Sequence, residues 1–326
     1  MDLDVVFLGT SGSTPTAQRA LPATLVRRGG ERLLFDCGEG TQRQLLRSDI
    51  GLVELQEVFL THFHADHYLG LPGMLKTYAL RGRELPLTIY GPPGLRDLLG
   101  ALTRIFGRLT YPVDAVELEP GERLQRHGYR LETFPVDHGV SAVGYALVEE
   151  ARPGRFDVET ATRFGVPDGP ERGLLQRGET VTLPDGKTVT PADVLGPPRS
   201  GRKIVLSGDT APAATVVEAA RGADLLVHEA TFLADERERA RETLHATAGE
   251  AALAAREAGV VLLALTHVST RYFGHQVVEE ARELFPDAVV PRDFDIVEIP
   301  FPERGRPELV RAGARGGEAP VGSTET

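Results

Sequence analysis

Residues 61–67, T-H-F-H-A-D-H, directly follow the apolar run V-F-L and place three histidines and one aspartate close together. The run at 57–62 is typical of a strand, so His62 closes it and His64, Asp66 and His67 fall in the following loop. Rigid scaffolds present reactive groups in such loops. Imidazole and carboxylate together suit a divalent ion such as zinc, with manganese or iron as alternatives. A polar loop without function is the competing interpretation, which four ligand-type residues in H-x-H-x-D-H disfavour.

Three more ligand-type residues stand where apolar runs stop. His138 follows R-L-E-T-F-P-V-D, Asp209 follows K-I-V-L-S-G, and His267 follows V-V-L-L-A-L-T. Each alone is equally typical of a strand-ending turn. Together with the first cluster they make seven candidate ligands, which is too many for one tetrahedral zinc ion. The set suits two ions that share a bridging carboxylate.

The apolar patterns predict a mixed α/β fold. Because strands outnumber helices early in the chain, two mixed sheets are favoured over a strict alternation of strand and helix. Strands are predicted at 3–9, 32–36, 57–62, 87–91, 129–136, 142–149, 203–209, 224–230, 260–267 and 294–300, and helices at about 69–81, 94–106, 211–221, 247–258 and 275–284.

Two segments depart from this pattern. Residues 151–203 are rich in glycine and proline and carry nine basic and seven acidic residues, in a chain whose net charge is −11. A long insertion of this kind inside a compact domain is usually functional or disordered. Residues 303–326 are polar and glycine-rich, which predicts a disordered tail.

Composition narrows the function classes. The negative charge argues against non-specific nucleic-acid binding through bulk charge, because that binding depends on neutralising phosphates. No apolar run approaches the roughly 20 residues needed to span a membrane, and the start lacks the features of a signal peptide. A single cysteine, Cys37, excludes an internal disulfide framework. These features predict a cytoplasmic protein without a membrane segment.

These motifs resemble the metallo-β-lactamase superfamily and, within it, the ribonuclease Z family of tRNA 3′-processing endonucleases. The resemblance covers about residues 1–300. The motifs that carry it are F-L-G-T-S-G-S-T-P (7–15), L-L-F-D-C-G-E-G-T-Q-R-Q-L-L (33–46), T-H-F-H-A-D-H (61–67), G-L-P-G-M-L (70–75), V-H-E-A-T-F (227–232), H-A-T-A-G-E-A-A (245–252) and T-H-V-S-T-R-Y (266–272). It implies an αββα sandwich of two mixed sheets flanked by helices, with a catalytic domain at 1–302 that a flexible exosite arm at 152–196 interrupts.

The resemblance also implies roles for the seven ligands. His62, His64 and His138 would bind one zinc ion, Asp66, His67 and His267 would bind a second, and Asp209 would bridge them. Manganese or iron could replace zinc. Two cations on the order of 4 Å apart can hold a scissile phosphate, supply hydroxide near neutral pH and offset charge on the leaving oxygen.

Proton transfer is assigned to three residues. Asp66 is the candidate base, and His245 is the candidate acid for the leaving 3′-oxygen, oriented by Glu229. The alternative for His245 is a residue that precedes the helix cap Thr247, and for Glu229 a solvated carboxylate at a strand end. Asp36 either orients a metal ligand from outside or belongs to a turn.

The implied substrate is precursor tRNA, cut near the discriminator to leave a tRNA 3′-hydroxyl and a trailer 5′-phosphate. The arm would hold the tRNA elbow, with Gly169 and Pro170 at its tip and Arg163 and Arg172 among its phosphate contacts. Arg271 would either contact phosphate or brace the site. Members of the family form homodimers in which one subunit's arm serves the other's site.

One motif differs from the family. The family's Pro-x-Lys-x-Arg-Asn motif reads P-T-A-Q-R-A at 15–20, so Ala17 and Ala20 stand in place of lysine and asparagine. That motif is associated with recognition near the tRNA 3′ end, which leaves open the cleavage nucleotide and the treatment of transcripts that encode CCA. Two rival functions are considered. Hydrolysis of small phosphodiesters, sulfate esters or lactones would need the same seven ligands but no arm, so the insertion at 151–203 disfavours it. RNA binding without catalysis is disfavoured because His245, Glu229 and all seven ligands are intact.

Overall fold

The structure of the protein is a computed structural model that describes residues 1–48, 50–52 and 55–313. The strands are β1 (Leu3–Gly9), β2 (Ala23–Arg28), β3 (Glu31–Phe35), β4 (Glu57–Phe59), β5 (Leu87–Gly91), β6 (Val113–Glu117), β7 (Arg123–Arg126), β8 (Tyr129–Pro135), β9 (Val143–Glu149), β10 (Val181–Thr182), β11 (Thr188–Val189), β12 (Lys203–Leu206), β13 (Leu225–Glu229), β14 (Leu262–Thr266), β15 (Ala288–Val289), β16 (Ile296–Glu298) and β17 (Glu308–Val310). The helices are α1 (Thr41–Arg47), α2 (Ala65–Tyr68), α3 (Gly70–Leu80), α4 (Leu95–Phe106), α5 (Val158–Arg163), α6 (Pro170–Gln176), α7 (Pro191–Val194), α8 (Ala214–Ala220), α9 (Arg237–Thr243), α10 (Ala248–Ala258) and α11 (Gly274–Leu284).

Two mixed sheets form the framework of the fold, as the sequence predicts. The first has the strand order β17-β16-β1-β2-β3-β4-β5-β6, and its pairings are antiparallel as far as β3 and parallel from β3 to β6. The second has the order β15-β14-β13-β12-β9-β8-β7, with parallel pairing from β12 to β15. With helices on their flanks, these sheets confirm the predicted fold class.

The parallel strands explain why the ligand-type residues follow apolar runs. Strands covered on both faces are rich in apolar side chains. Residues 204–206 of β12 and 225–227 of β13 are buried and apolar, and the polar residues of β13 stand at its carboxyl end. The carboxyl ends of parallel strands meet at one edge of a sheet, where ligands bind in open α/β folds. Asp209 follows β12, Glu229 ends β13 and His267 follows β14 at this edge.

The chain divides into two compact units. The larger comprises residues 1–125, 131–147 and those from 203 onwards, and the smaller comprises 126–130 and 148–202. The predicted arm at 152–196 lies within the smaller unit. None of the helices in the described ranges combines the length and the apolar character that crossing a membrane requires.

The smaller unit has a core of its own. Helices α5, α6 and α7 and the hairpin β10–β11 surround a cluster of buried apolar side chains, which are Ala161, Val166, Leu175, Val181, Leu183, Val189 and Val194. Nε and Nη2 of Arg202 donate to the carboxylate of Glu149 at 2.7 and 2.9 Å, and both side chains are buried. The segment that the composition left as functional or disordered is therefore folded throughout its described length.

The predicted tail at 303–326 needs a correction in its first part. Residues 308–310 form β17, which pairs antiparallel with β16. Asp295 extends this contact, because its carboxylate accepts from the backbone N–H of Ala312 at 2.8 Å and from the guanidinium of Arg311. Composition missed the strand because backbone pairing and two polar contacts, rather than an apolar run, hold it. Residues 314–326 lie outside the described residues.

Helix α10 provides a test of local stability. Thr247 is its N-cap: the hydroxyl accepts from the N–H of Glu250, whose carboxylate accepts from the N–H of Thr247 in return. Losing such a cap costs about 1 kcal/mol. We expect Thr247→Ala to lower the free energy of unfolding, measured in urea, by that amount. The control is Thr103→Ala: Thr103 lies on the exposed face of α4, so its replacement should leave the free energy of unfolding nearly unchanged. Equal values for the two variants would contradict the capping role.

Candidate metal centre

The structure brings all seven predicted ligands together. Ligand atoms of one group, His62, His64, His138 and Asp209, lie within 4.8 Å of one another. Those of a second group, Asp66, His67 and His267, satisfy the same limit. The two groups come from the segments after β4, β8, β12 and β14, so residues far apart in sequence meet at one place. The sequence placed Asp66 and His67 in a loop, but both lie in the short helix α2.

Asp209 lies between the two groups. Its Oδ2 is 3.8 Å from Nε2 of His62, and 3.3 Å from Nε2 of both His67 and His267. The carboxylate is buried, which disfavours its charge, but the nearby imidazoles of His267 and His67 outweigh burial and hold its pKa well below the usual value. A carboxylate that stays ionised between two sets of nitrogens is suited to bridging two cations.

The histidines are held from outside the centre. In four of the five, one ring nitrogen faces a protein group outside the cluster while the other faces the centre, an arrangement typical of metal-ligating histidines. The contacts are His62 Nδ1 to Thr61 Oγ1 at 3.0 Å, His67 Nδ1 to Asp36 Oδ2 at 2.8 Å, His138 Nδ1 to the carbonyl oxygen of Leu244 at 3.0 Å, and His267 Nδ1 to Thr231 Oγ1 at 2.8 Å.

The donor set fits a divalent transition metal. Among the described residues, buried Nε2 of His62 has no hydrogen-bond partner although it lies at the middle of the cluster. Burial and the neighbouring His67 lower the pKa of His62 well below its usual value, so its ring is neutral and Nε2 can act as a ligand. Burying a ring nitrogen without a hydrogen-bond partner costs free energy, unless a cation lies in front of that nitrogen.

A second polar group adjoins the cluster. Nδ1 of His245 donates to Oε1 of the buried Glu229 at 2.8 Å. Burial disfavours the imidazolium form of His245, but the charge of Glu229 and this hydrogen bond outweigh it and raise the pKa of His245 to about 9. The hydroxyl of Thr231 donates to Oε2 of the same carboxylate at 2.6 Å. Glu229 is thus a buried acceptor that keeps His245 protonated, and it is not the solvated carboxylate that was the alternative.

The loop at 10–20 also contacts the cluster. The backbone N–H of Ser13 donates to Oδ2 of Asp66 at 2.9 Å. A Cβ on Gly12 would lie 2.4 Å from Nδ1 of His267, so a glycine is needed for this approach. This loop therefore supports the candidate ligands Asp66 and His267 through its backbone.

Asp293 closes the base of this loop. Its carboxylate accepts from Oγ1 of Thr10 at 2.8 Å, the N–H of Ala20 at 2.7 Å and Nε2 of Gln44 at 2.8 Å. Arg19 reinforces the closure, since its Nη1 donates to Oγ1 of Thr10 at 2.6 Å. Arg19 therefore has a structural partner inside the loop, while Ala20 contributes its backbone, so this closure does not need an asparagine side chain.

The closure predicts a stability effect. Asp293→Ala would leave buried donors without an acceptor, which costs about 1–3 kcal/mol. We expect a loss of that size in the free energy of unfolding, measured in urea. Glu218→Ala, which removes the carboxylate of an exposed pair with Arg221, should cause no measurable loss because exposed pairs contribute little. If Asp293→Ala matched this control, the loop would be held by other contacts.

The predicted arm residues have distinct surroundings. Gly169 precedes α6, and Pro170 is its first residue, where proline is favoured. Arg163 is exposed at the end of α5, and its guanidinium donates to Thr160. Arg172 is largely buried: it pairs with Asp168 and donates to the carbonyl oxygen of Val166 at 3.2 Å. Bracing the start of α6 is thus the role the contacts of Arg172 indicate, and its phosphate contact stays a prediction.

Several supporting groups were not singled out from the sequence. Thr61, Thr231 and the carbonyl of Leu244 orient ligands, and the N–H of Ser13 contacts Asp66. Two of these are backbone groups, which leave no trace in residue identity. The two threonines are members of the quoted motifs T-H-F-H-A-D-H and V-H-E-A-T-F, so the available signal was their place beside the ligand and acid–base residues.

Two sheets with helices on their flanks and a His/Asp cluster at the strand ends define a member of the metallo-β-lactamase superfamily. A family model described as a beta-lactamase superfamily domain matches residues 31–162. Ribonuclease Z of Myxococcus xanthus is 50% identical over 92% of this chain and 98% of its own length, and ribonuclease Z of Methanosarcina acetivorans is 44% identical over 94% and 100%. The crystal structure of the short form of human tRNase Z superposes with a TM-score of 0.67 at 27% identity, covering 91% of this chain and 99% of that one. The chain belongs to the ribonuclease Z family.

Proposed function

We propose that the protein is a zinc-dependent endoribonuclease that removes the 3′ trailer of precursor tRNA near the discriminator. The products would be a tRNA 3′-hydroxyl and a trailer 5′-phosphate. One observation carries the proposal: the His245–Glu229 pair adjoins a cluster of seven metal-ligand residues. Relatives named ribonuclease Z at 43–50% identity support RNA as the substrate.

The ligand roles follow from the two groups. One zinc ion would be held by His62, His64 and His138, and the other would be held by Asp66, His67 and His267. Asp209 would bind both ions. Manganese or iron is the alternative to zinc. When bound, two such ions hold the scissile phosphate, lower the pKa of water and offset charge on the departing oxygen.

The chain's own residues handle the protons. Asp66 belongs to the second group, and Ser13 and His267 fix its carboxylate. Burial raises the pKa of Asp66, but the hydrogen bond from His267 and the charge of His67 outweigh it and lower the pKa, so Asp66 is ionised and can accept the proton of the attacking water. His245 is protonated near neutral pH and can give its proton to the leaving 3′-oxygen.

The smaller unit would bind the tRNA elbow. Exposed arginines Arg155, Arg163 and Arg177 can contact phosphates without reading sequence. Phosphate binding by local cations is compatible with the chain's net charge of −11. We further propose a cytoplasmic homodimer in which each arm serves the partner's site.

An end-labelled precursor tRNA with a 3′ trailer tests this function. The zinc-loaded protein should make a single cut near the discriminator, Asp66→Ala should make none, and removal of residues 155–196 should weaken the cut. Arg152 and Arg199 exchange backbone hydrogen bonds at 2.7 and 2.9 Å, so a short linker can close the deletion. Intact RNA together with hydrolysis of a small phosphodiester by both forms would instead establish the small-molecule hydrolase.

A further inference from the structure

A cavity of about 420 Å³ opens beside His245 in the larger unit. Its lining includes the loop at 12–14, Thr231, Phe232, Arg239, Thr243 and Arg271. The volume lies within the range of roughly 300–1,000 Å³ that small-molecule sites occupy. Hydroxyl groups, one aromatic ring and two guanidinium groups are the chemistry that recognises the ribose, base and phosphate of a nucleotide.

The two arginines share one carboxylate. Nε of Arg271 lies 3.5 Å from Oε2 of Glu236, and Nη1 of Arg239 lies 4.0 Å from Oε1. The hydroxyl of Tyr272 donates to Glu236 at 2.7 Å, which fixes this carboxylate between them. The side chains of Arg239 and Arg271 are 53% and 44% exposed. The ionisable side chains that line the cavity itself are those of Arg239, His245 and Arg271, so its lining is basic in a chain that is acidic overall.

The position of His245 identifies which nucleotide the cavity faces. Resting on the proposed function, His245 protonates the leaving 3′-oxygen. In an in-line displacement the leaving oxygen and the attacking water lie on opposite sides of phosphorus. The nucleotide on the His245 side is therefore the one that carries the leaving oxygen, and the trailer leads away from it.

We propose that this cavity binds the nucleotide immediately 5′ of the scissile bond, with Arg239 and Arg271 paired to that nucleotide's own 5′-phosphate. Arg239, on α9, is a binding residue that no sequence motif indicated. It acts on a phosphate and so does not select the base. Because Arg239 and Arg271 would bind the phosphate, the cavity could accept different bases at the discriminator position.

Arg239→Ala tests the assignment, with Arg241→Ala as the matched control. Arg241 is an exposed arginine two residues further along α9, about 200° around the helix, so it faces away from the cavity. For precursor tRNA we expect Arg239→Ala to raise KM about tenfold with little change in kcat, and to reduce the slope of log KM against log salt by about 1. Arg241→Ala should leave both quantities at the wild-type values.

A substrate with a neutral methylphosphonate at the proposed 5′-phosphate makes the test specific. The wild-type enzyme should lose about tenfold in kcat/KM on this substrate, and Arg239→Ala should lose little more than it has already lost, because both changes remove the same ion pair. If the losses caused by the methylphosphonate and by Arg239→Ala were additive, or if the Arg239 and Arg241 variants had equal KM values, the assignment of the cavity would be wrong. Normal cleavage of precursor tRNA by the wild type would still support the proposed function. Absence of any cleavage by the wild type would instead defeat the proposed function, and with it the assignment of the cavity.

Discussion

Asp209→Ala should lower kcat for RNA cleavage by at least about 10⁴-fold, because the carboxylate lies between both ligand groups and its loss would disturb both of the proposed ions. Its Oδ2 is 3.3 Å from Nε2 of His67 and of His267, and 3.8 Å from that of His62. Metal content after dialysis should fall from two ions per chain to fewer, measured by elemental mass spectrometry.

The control for this variant is Asp137→Ala. Asp137 is an exposed aspartate next to the ligand His138, so its removal changes local charge without removing a ligand. It should keep the metal content and most of the activity. If Asp209→Ala retained two ions and near-normal kcat, the bridging role would be wrong.

His245→Ala should lower kcat by about 10²–10⁴-fold, the range for losing a general acid or base. The cause is the loss of a protonated imidazole, which Glu229 maintains through the 2.8 Å hydrogen bond and its charge. Metal content should stay at the wild-type level, since His245 is held by Glu229. Single-turnover cleavage of precursor tRNA measures the effect on the chemical step.

A modified substrate separates acid catalysis from structural damage. RNA with sulfur in place of the leaving 3′-oxygen needs no proton at that atom, so His245→Ala should cleave it nearly as fast as wild type does. The exposed His275 provides the control, and His275→Ala should behave as wild type on both substrates. An equal loss on the oxygen and sulfur substrates would show that His245 acts through position alone.

The ligand cluster could be predicted because its members have a strong local signature. Each follows an apolar strand, and parallel strands bring such positions to one sheet edge. Helix α10 was also predictable to within a residue, since the capping threonine Thr247 and the terminal Gly259 mark its ends. These signals depend on residues next to one another in sequence.

Other features depend on partners distant in sequence and were missed. Strand β2 has the sequence A-T-L-V-R-R and was left out, although it pairs with both β1 and β3. The core of the smaller unit draws single apolar residues from three helices and a hairpin, so no window of the sequence has a regular period. Arg239 belongs to a charged stretch, R-E-R-A-R-E-T, in which the sequence does not distinguish the arginine that lines the cavity.

Under the proposed function, water is the nucleophile that breaks the phosphodiester bond before the trailer. Cleavage of precursor tRNA in ¹⁸O-labelled water, followed by mass spectrometry of both products, tests it directly. One ¹⁸O atom in the 5′-phosphate of the trailer and none at the 3′-hydroxyl of the tRNA is the predicted result. An unlabelled trailer with a 5′-hydroxyl, beside a tRNA that ends in a cyclic phosphate, would contradict it.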